Sequence, residues 1–354
     1  MSISPFDHPL LSGLLGDEEV ARCFGIEAEV EAMLAFETAL ALAEAAEAVI
    51  PLEAGEATER ALAGFSPDLM RLRAGTTQDG VVVPELVRQV RASLGDPHGA
   101  HVHFGATSQD VIDTGLALRL ARVLDILSGR LGGLCEQLDA LSARDGTIET
   151  MAHTRMQVAI PVPAARKIES WRAPLSRHLA RLDAVKREVL VLHLGGAAGT
   201  LDKLGDRGAA VARRMAVDLG LRIVPTPRHS ERDGIASLAS WLSLVTGSLG
   251  KMGQDIALLA QSEVGEVRLA SGGGSSAMPH KVNPVGAEVL VALARFNGTL
   301  VSGMHQSLVH ENERSGAAWT LEWMLLPQMA AAAGAALRTA RDLIDGVSFV
   351  HARS

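Results

Sequence analysis

The 354 residues are 47% hydrophobic and carry a formal net charge of -8, which supplies one large core or two modest ones and, lacking a concentrated basic surface, excludes a nucleic-acid partner. Two cysteines, Cys23 and Cys135, in no metal or redox spacing exclude a disulfide framework and point to a reducing cytoplasm. Met1 to Leu15 has none of the marks of a signal peptide, and the longest uncharged run, Gly234 to Gly250, falls short of the ~20 apolar residues that span a bilayer, so neither export nor membrane insertion is expected.

In chain order, the first hundred residues read as helices, including Asp17 to Ile50 and Pro84 to Leu94, broken by Pro51, Pro67, Pro84 and Pro97. A boundary near Gly105 separates this N-terminal helical domain, 1–105, from a long-helix bundle, 106–354. His101 to Asp110 opens the bundle: Thr107 or Ser108 can cap a helix, and spare hydroxyls and amides there can bind a carboxylate. His98, His101 and His103 have no partner at metal-ligand spacing, so no metal is expected. Between Ser108 and Asp145 there is no proline, and Leu116, Leu120, Leu124, Leu127, Leu131, Leu134, Leu138 and Leu141 recur at steps of four and three, the seam of a bundle helix. Further seams run from Pro163 to Leu192 and from Leu238 to Leu259. Glycines inside these helices (Gly129, Gly132, Gly133, Gly247, Gly250, Gly253) each cost up to roughly 1 kcal/mol, and close helix contact is the expected reason.

Leu194 to Thr200 is glycine-rich but has neither a preceding strand nor a following Walker lysine, which excludes a nucleotide loop. Ser271 to Pro284 is the most distinctive segment: three glycines and two serines let backbone amides approach a ligand, and Pro284 opens the next helix, Pro284 to Arg295. A serine there can move a proton if amides and Lys281 stabilise its alkoxide, or the segment can be a flexible connector. In His310 to Ser315, Arg314 can clamp a carboxylate bidentately or pair with Glu311 or Glu313. The last helix, Ala317 to Ile344, is expected to kink or break at Pro327.

Taken in this order, the segments resemble the fumarase/aspartase superfamily, whose signature loop is similar to Gly274-Ser275-Ser276-Ala277-Met278-Pro279-His280-Lys281-Val282-Asn283-Pro284; Val102 to Leu120 and Arg228 to Val267 resemble its other two blocks. Within it, His103 to Asp110, Gly195 to Gly199 and Glu313-Arg314-Ser315 with Trp319, Glu322 and Trp323 resemble the bacterial 3-carboxy-cis,cis-muconate cycloisomerase branch. The resemblance implies an all-α homotetramer whose central helices share one bundle, with each active site drawn from three subunits. It implies a small polycarboxylate substrate, no metal or redox cofactor, and lactonisation in aromatic (protocatechuate) catabolism: one carboxylate adds across a double bond while a proton reaches the carbon alpha to another. By motif position, Ser275 is the proton-transfer candidate, Lys281 and Asn283 bind the alpha carboxylate, Thr107, Ser108 and Gln157 bind other polar groups, and Arg314 binds a distal carboxylate. The sequence departs from the pattern at Arg155 and Val158, one of which is commonly histidine in relatives, so the proton donor stays open among Ser275, His153, His103 and water, with Arg155 a nearby cation and Glu288 left as a structural residue. Relatives continue for a further helical domain beyond the position of Ser354. A lyase of the adenylosuccinate type is the alternative reaction, and a non-catalytic relative the alternative class.

Overall fold

A computed structural model describes residues 4–270, 272–274, 278 and 281–351. Twelve α-helices are found among them: α1 (Ser12–Leu15), α2 (Glu18–Arg22), α3 (Ile26–Ala46), α4 (Leu52–Leu62), α5 (Leu69–Asp79), α6 (Val83–Leu94), α7 (Ser108–Asp145), α8 (Ala164–Val189), α9 (Gly208–Asp218), α10 (Asp233–Leu259), α11 (Val285–Gln306) and α12 (Ala317–Asp345). The strands form two small antiparallel pairs, β1 (Glu149–Thr154) with β2 (Gln157–Pro163) and β3 (Val267–Leu269) with β4 (Val347–Phe349). The architecture is the helical bundle expected from the leucine spacing.

The seam of α7 is its organising feature. Leu120, Leu124, Leu127, Leu131, Leu134, Leu138 and Leu141 are all buried and pack with α8, α10, α11 and α12 into one core. A second core joins α3 to α6 with the first turns of α7 and with residues 192–221. Because α7 has 38 residues at 1.5 Å per residue, the ends of the bundle lie about 57 Å apart. One end gathers the start of α7, the residues before α10 and the start of α12: Arg232 meets Asp113 and Glu322 there. The opposite end gathers the close of α7, β1–β2 and β3–β4, where the Phe349 amide donates to Asp145.

Some local expectations are corrected. Pro327 does not break α12, which runs through it as α8 runs through Pro174; burial of Leu326 and Met329 beside Pro327 outweighs the ~3 kcal/mol that proline costs inside a helix. The hairpin β1–β2 was not legible, because its two-residue turn has positive φ at Arg155 (51°) and Met156 (67°), a geometry usually signalled by Asn-Gly. Of the helix glycines, Gly250 and Gly253 do mark close contact, since an added Cβ would stand 2.4 Å from the Ala294 Cβ and 2.6 Å from the Ala287 carbonyl. Gly129, Gly132 and Gly247 face open space within the chain. Helix α11 is long and apolar enough to cross a membrane by length and composition alone, and most of it is not buried within the chain.

Helix α3 buries two carboxylic acids, Glu37 and Glu44. Neither oxygen of Glu44 has a hydrogen-bond partner among the described residues, and burial, with a smaller push from Glu37, raises its pKa to about 9. An acid whose folded pKa lies above its unfolded value stabilises the fold fully below the unfolded pKa, near 4.5, and that contribution is lost as pH rises towards about 9. Glu44→Leu is therefore expected to be more stable than the parent at pH 8, because it removes both the pH-dependent loss and the cost of about 1–3 kcal/mol of an unpaired buried acid; the first part, and so the difference, shrinks towards pH 5. Urea denaturation midpoints across that range check it; equal midpoints at pH 8 would refute it.

Candidate active site

The site begins at the N-terminus of α7. Thr107 has extended backbone (φ -130°) and its amide donates to the Asp110 carboxylate at 3.0 Å, one arm of a capping box. Asp110, fully buried, also accepts from the Gly195 and Gly196 amides (2.8 and 2.9 Å) and from the His229 Nε2 (2.7 Å). Its four donors come from three separate segments, so one side chain ties the Gly195–Gly199 loop and the residues before α10 to the first turn of α7. Gly196 holds φ +67° with an added Cβ 2.7 Å from the Gly105 carbonyl, so only glycine lets the loop approach this closely.

Behind this cap lies a buried charge network. Arg232 donates to Asp113 at 2.7 Å and to Glu322 at 2.6 and 2.9 Å, while the Trp319 indole donates to Asp113 at 3.0 Å. Burial alone would raise the Asp113 pKa, but Arg232 beside it holds the carboxyl below its usual range. His193, buried next to the same pair, is pushed down to about 4 by burial and stays neutral. This network is the foundation of the cap.

Arg314 reaches the cap from the segment before α12. Its Nε donates to the Gln109 side-chain oxygen at 3.0 Å and its Nη2 to both the Gly196 and Ala197 carbonyls, at 3.4 and 3.3 Å. Gln109 is held by its own donations to Asp113 (3.1 Å) and the His229 carbonyl (2.7 Å). Among the described residues Arg314 forms no ion pair with Glu311 or Glu313: it is oriented by neutral acceptors, which leaves its charge for an anion. His103, Thr107 and Ser108, each partly exposed, complete this end, with the His103 Nδ1 2.6 Å from Glu37.

The remaining predicted residues lie at the other end of the bundle. His153 and Gln157 flank the exposed tip of β1–β2, Thr154 pairing with Gln157 and His153 with Val158, and Arg155 occupies the turn. The His153 Nδ1 sits 3.1 Å from the Met151 carbonyl; a carbonyl only accepts, so Nδ1 is the donor of that bond. Lys281 is exposed, and Asn283 exchanges two backbone hydrogen bonds of 2.9 Å with Gly273. Glu288 is exposed in the first turn of α11. Ser275 lies outside the described residues. Among the described residues no group of three or more His, Cys, Asp or Glu side chains is placed to hold a metal.

Within one chain, then, the described candidate residues form two groups at opposite ends of α7. Sequence reasoning missed Gln109, Asp110, His229, Arg232 and Glu37. Asp110 had a local signal, the Thr-x-x-Asp spacing of a capping box, and Gln109 lies beside it in the same turn; His229, Arg232 and Glu37 are joined to the site only across long sequence separations.

Comparison with known proteins bears on this arrangement. Residues 16–296 match the family described as Lyase. A 3-carboxy-cis,cis-muconate cycloisomerase from Bradyrhizobium diazoefficiens is 37% identical over 351 residues, 98% of this chain and 78% of that protein. One from Pseudomonas aeruginosa is 40% identical over 332 residues, 92% of this chain and 72% of that protein. The crystal structure of the 3-carboxy-cis,cis-muconate lactonizing enzyme from Pseudomonas putida superposes with a TM-score of 0.91 at 36% identity, covering 97% of this chain and 78% of that one.

Proposed function

Since this chain belongs to the lyase family, within the fumarase/aspartase superfamily that its motifs resemble, we propose that it is a 3-carboxy-cis,cis-muconate cycloisomerase acting in aromatic catabolism. The observation that carries this reading is identity of 37–40% to proteins of that name over more than nine tenths of the chain. The reaction is an internal addition. A carboxylate oxygen closes a five-membered lactone on one alkene carbon, the π electrons move towards the other, and a proton arrives there. No oxidation state of the molecule as a whole changes. Charge builds up on the carboxylate alpha to the protonated carbon, so fixed donors aimed at it lower the barrier, and a bound near-attack shape favours ring closure.

The residue roles follow. Arg314 binds a distal carboxylate, Thr107 and Ser108 take other polar groups at the α7 cap, and Gln157 with the Arg155 cation does so from the hairpin. Lys281 and Asn283 hold the alpha carboxylate, and Ser275, His153 and His103 are the proton-transfer groups. The ~57 Å between the ends of α7 is far longer than a tricarboxylate of this size, which supports sites completed by neighbouring copies. A homotetramer also accounts for the apolar, largely uncovered α11, for the open space beside Gly129, Gly132 and Gly247, and for Met156, Val158 and Ile160, exposed on the hairpin at 75%, 65% and 65%.

Loss of diene absorbance in chelator-containing buffer, with the lactone identified as product, tests the activity; a folded protein that leaves this substrate unchanged while cleaving a succinyl-type lyase substrate would replace the reading. Arg314→Ala is expected to raise KM roughly 10- to 100-fold, the equivalent of one charge-assisted contact. Lys281→Ala, altered at the other half-site, is expected to be similarly impaired. Co-refolded together, the two variants should recover activity well above the sum of the separate preparations, because some sites then receive both intact halves. No recovery in mixed oligomers would refute the sharing.

A further inference from the structure

Glu37 is 1% exposed and lies on α3, remote in sequence from every motif of the site, yet its Oε1 is 2.6 Å from the Nδ1 of His103. His103 itself holds φ +60°, a left-handed conformation that a non-glycine residue keeps only when its surroundings impose it. Arg91 on α6 contributes to that restraint by donating to the Val102 carbonyl at 2.9 Å. The second oxygen of Glu37 is buried without a hydrogen-bond partner among the described residues. That carboxylate is therefore committed to the ring, and a carboxylate can only accept, so Nδ1 bears the proton whether the ring is neutral or charged. Nε2 is the nitrogen left for a substrate at the adjoining Thr107–Ser108 cap.

Three charged groups face the ring: Glu37 from α3, Asp110 from α7 and Arg91 from α6. Burial and Arg91 work against the imidazolium, and the two carboxylates outweigh them, so the ring holds its proton above the ordinary histidine range. Glu44, two turns further along α3, has its pKa raised to about 9 by burial and among the described residues makes no hydrogen bond through its side chain.

Resting on the cycloisomerase reading, we propose that Glu37 is a positioning residue for the reaction: it fixes the tautomer and direction of His103 and stabilises the imidazolium whose Nε2–H supplies the proton. In that step the carboxylate oxygen forms the lactone C–O bond, the alkene π pair takes the proton from Nε2, and the neutral imidazole regains a proton from solvent. The trianionic substrate thus leaves as a dianionic lactone, one proton consumed. The assignment also answers how the chain acts without a histidine at Arg155 or Val158.

The test compares pH profiles of kcat and KM for the parent, Glu37→Gln, Glu37→Asp and, as a control from the same helix, Glu44→Gln. Glu37→Gln keeps the shape and an acceptor oxygen while removing the charge. It should lower kcat by roughly 100-fold, the low end of what a general acid contributes, change KM by a few-fold at most, and move the alkaline limb of the profile to lower pH. Glu37→Asp should restore part of both effects, and Glu44→Gln should leave the profile in place. A Glu37→Gln enzyme with an unmoved alkaline limb and near-parental kcat overturns the proposal; if that variant does not fold, the Glu37→Asp profile decides in the same way. Should the parent not turn over carboxymuconate, the functional reading itself fails, and an NMR titration of the His103 ring, assigned by its loss in His103→Gln, judges Glu37 separately. A titration midpoint that falls in the Glu37 variants supports the positioning role, and an unchanged midpoint refutes it.

Discussion

Arg232→Met is expected to destabilise the folded chain by about 3–5 kcal/mol, the cost of leaving buried charges without their partner. Arg232 is 3% exposed and is the only cation that bridges Asp113 and Glu322 among the described residues. Without it, Asp113 keeps the Trp319 indole and the Gln109 amide, but among the described residues Glu322 keeps only His310 at 3.7 Å. Methionine fills much of the same volume, so the loss reads out charge rather than a cavity. Each orphaned carboxylate should take up a proton more readily than in the parent, and the deficit should narrow as the pH falls from 8 towards 5. Arg232→Lys, a point charge in place of a planar fork, cannot satisfy both carboxylates and should fall between. Urea unfolding at several pH values measures this. A loss below about 1 kcal/mol at pH 8 would mean that the network is hydrated or rearranged.

Asp110→Asn is expected to lower kcat/KM by roughly 100-fold, the scale of an ångström-level misplacement of binding groups, and to destabilise by about 3 kcal/mol or more through two lost hydrogen bonds to a charged acceptor. All four groups around the carboxylate are donors: one oxygen takes the Thr107 and Gly196 amides, the other the Gly195 amide and His229. An asparagine places its own NH2 on one side or the other, and either orientation sets donor against donor at a glycine amide. The Gly195–Gly199 loop should then release Arg314, which leans on the Gly196 and Ala197 carbonyls. The signature is thus a combined loss in stability and in substrate affinity. Parental kinetics in a destabilised Asp110→Asn protein would show that the cap supports the fold without orienting the site.

The amino-acid sequence alone determined the bundle and its long helices. A leucine every three or four residues from Leu120 to Leu141 can be buried in only one way, along a single helical stripe, and the absence of proline between Ser108 and Asp145 lets that helix run unbroken. The segments carrying Thr107, Ser108, Arg314, Lys281 and Asn283 were legible for a similar reason: their glycines, prolines and polar residues break the periodicity on both sides.

What only the tertiary structure decided is which of these residues meet. Asp110 gathers amides 85 and 86 positions away, and Arg232 reaches a carboxylate 119 positions back and another 90 ahead. No local period encodes such pairings; packing of the seams creates them. The type of turn at Arg155 and Met156 was likewise hidden, because neither residue favours positive φ on its own. Glu37 reads in sequence as one more acidic residue of an alanine-rich helix, and becomes the partner of His103 only when α3 is buried against the start of α7. The distance between the two groups of candidate residues follows from the length of α7, which the sequence displayed, together with the bundle topology, which it did not: knowing that a helix is long does not say which segments return to which of its ends.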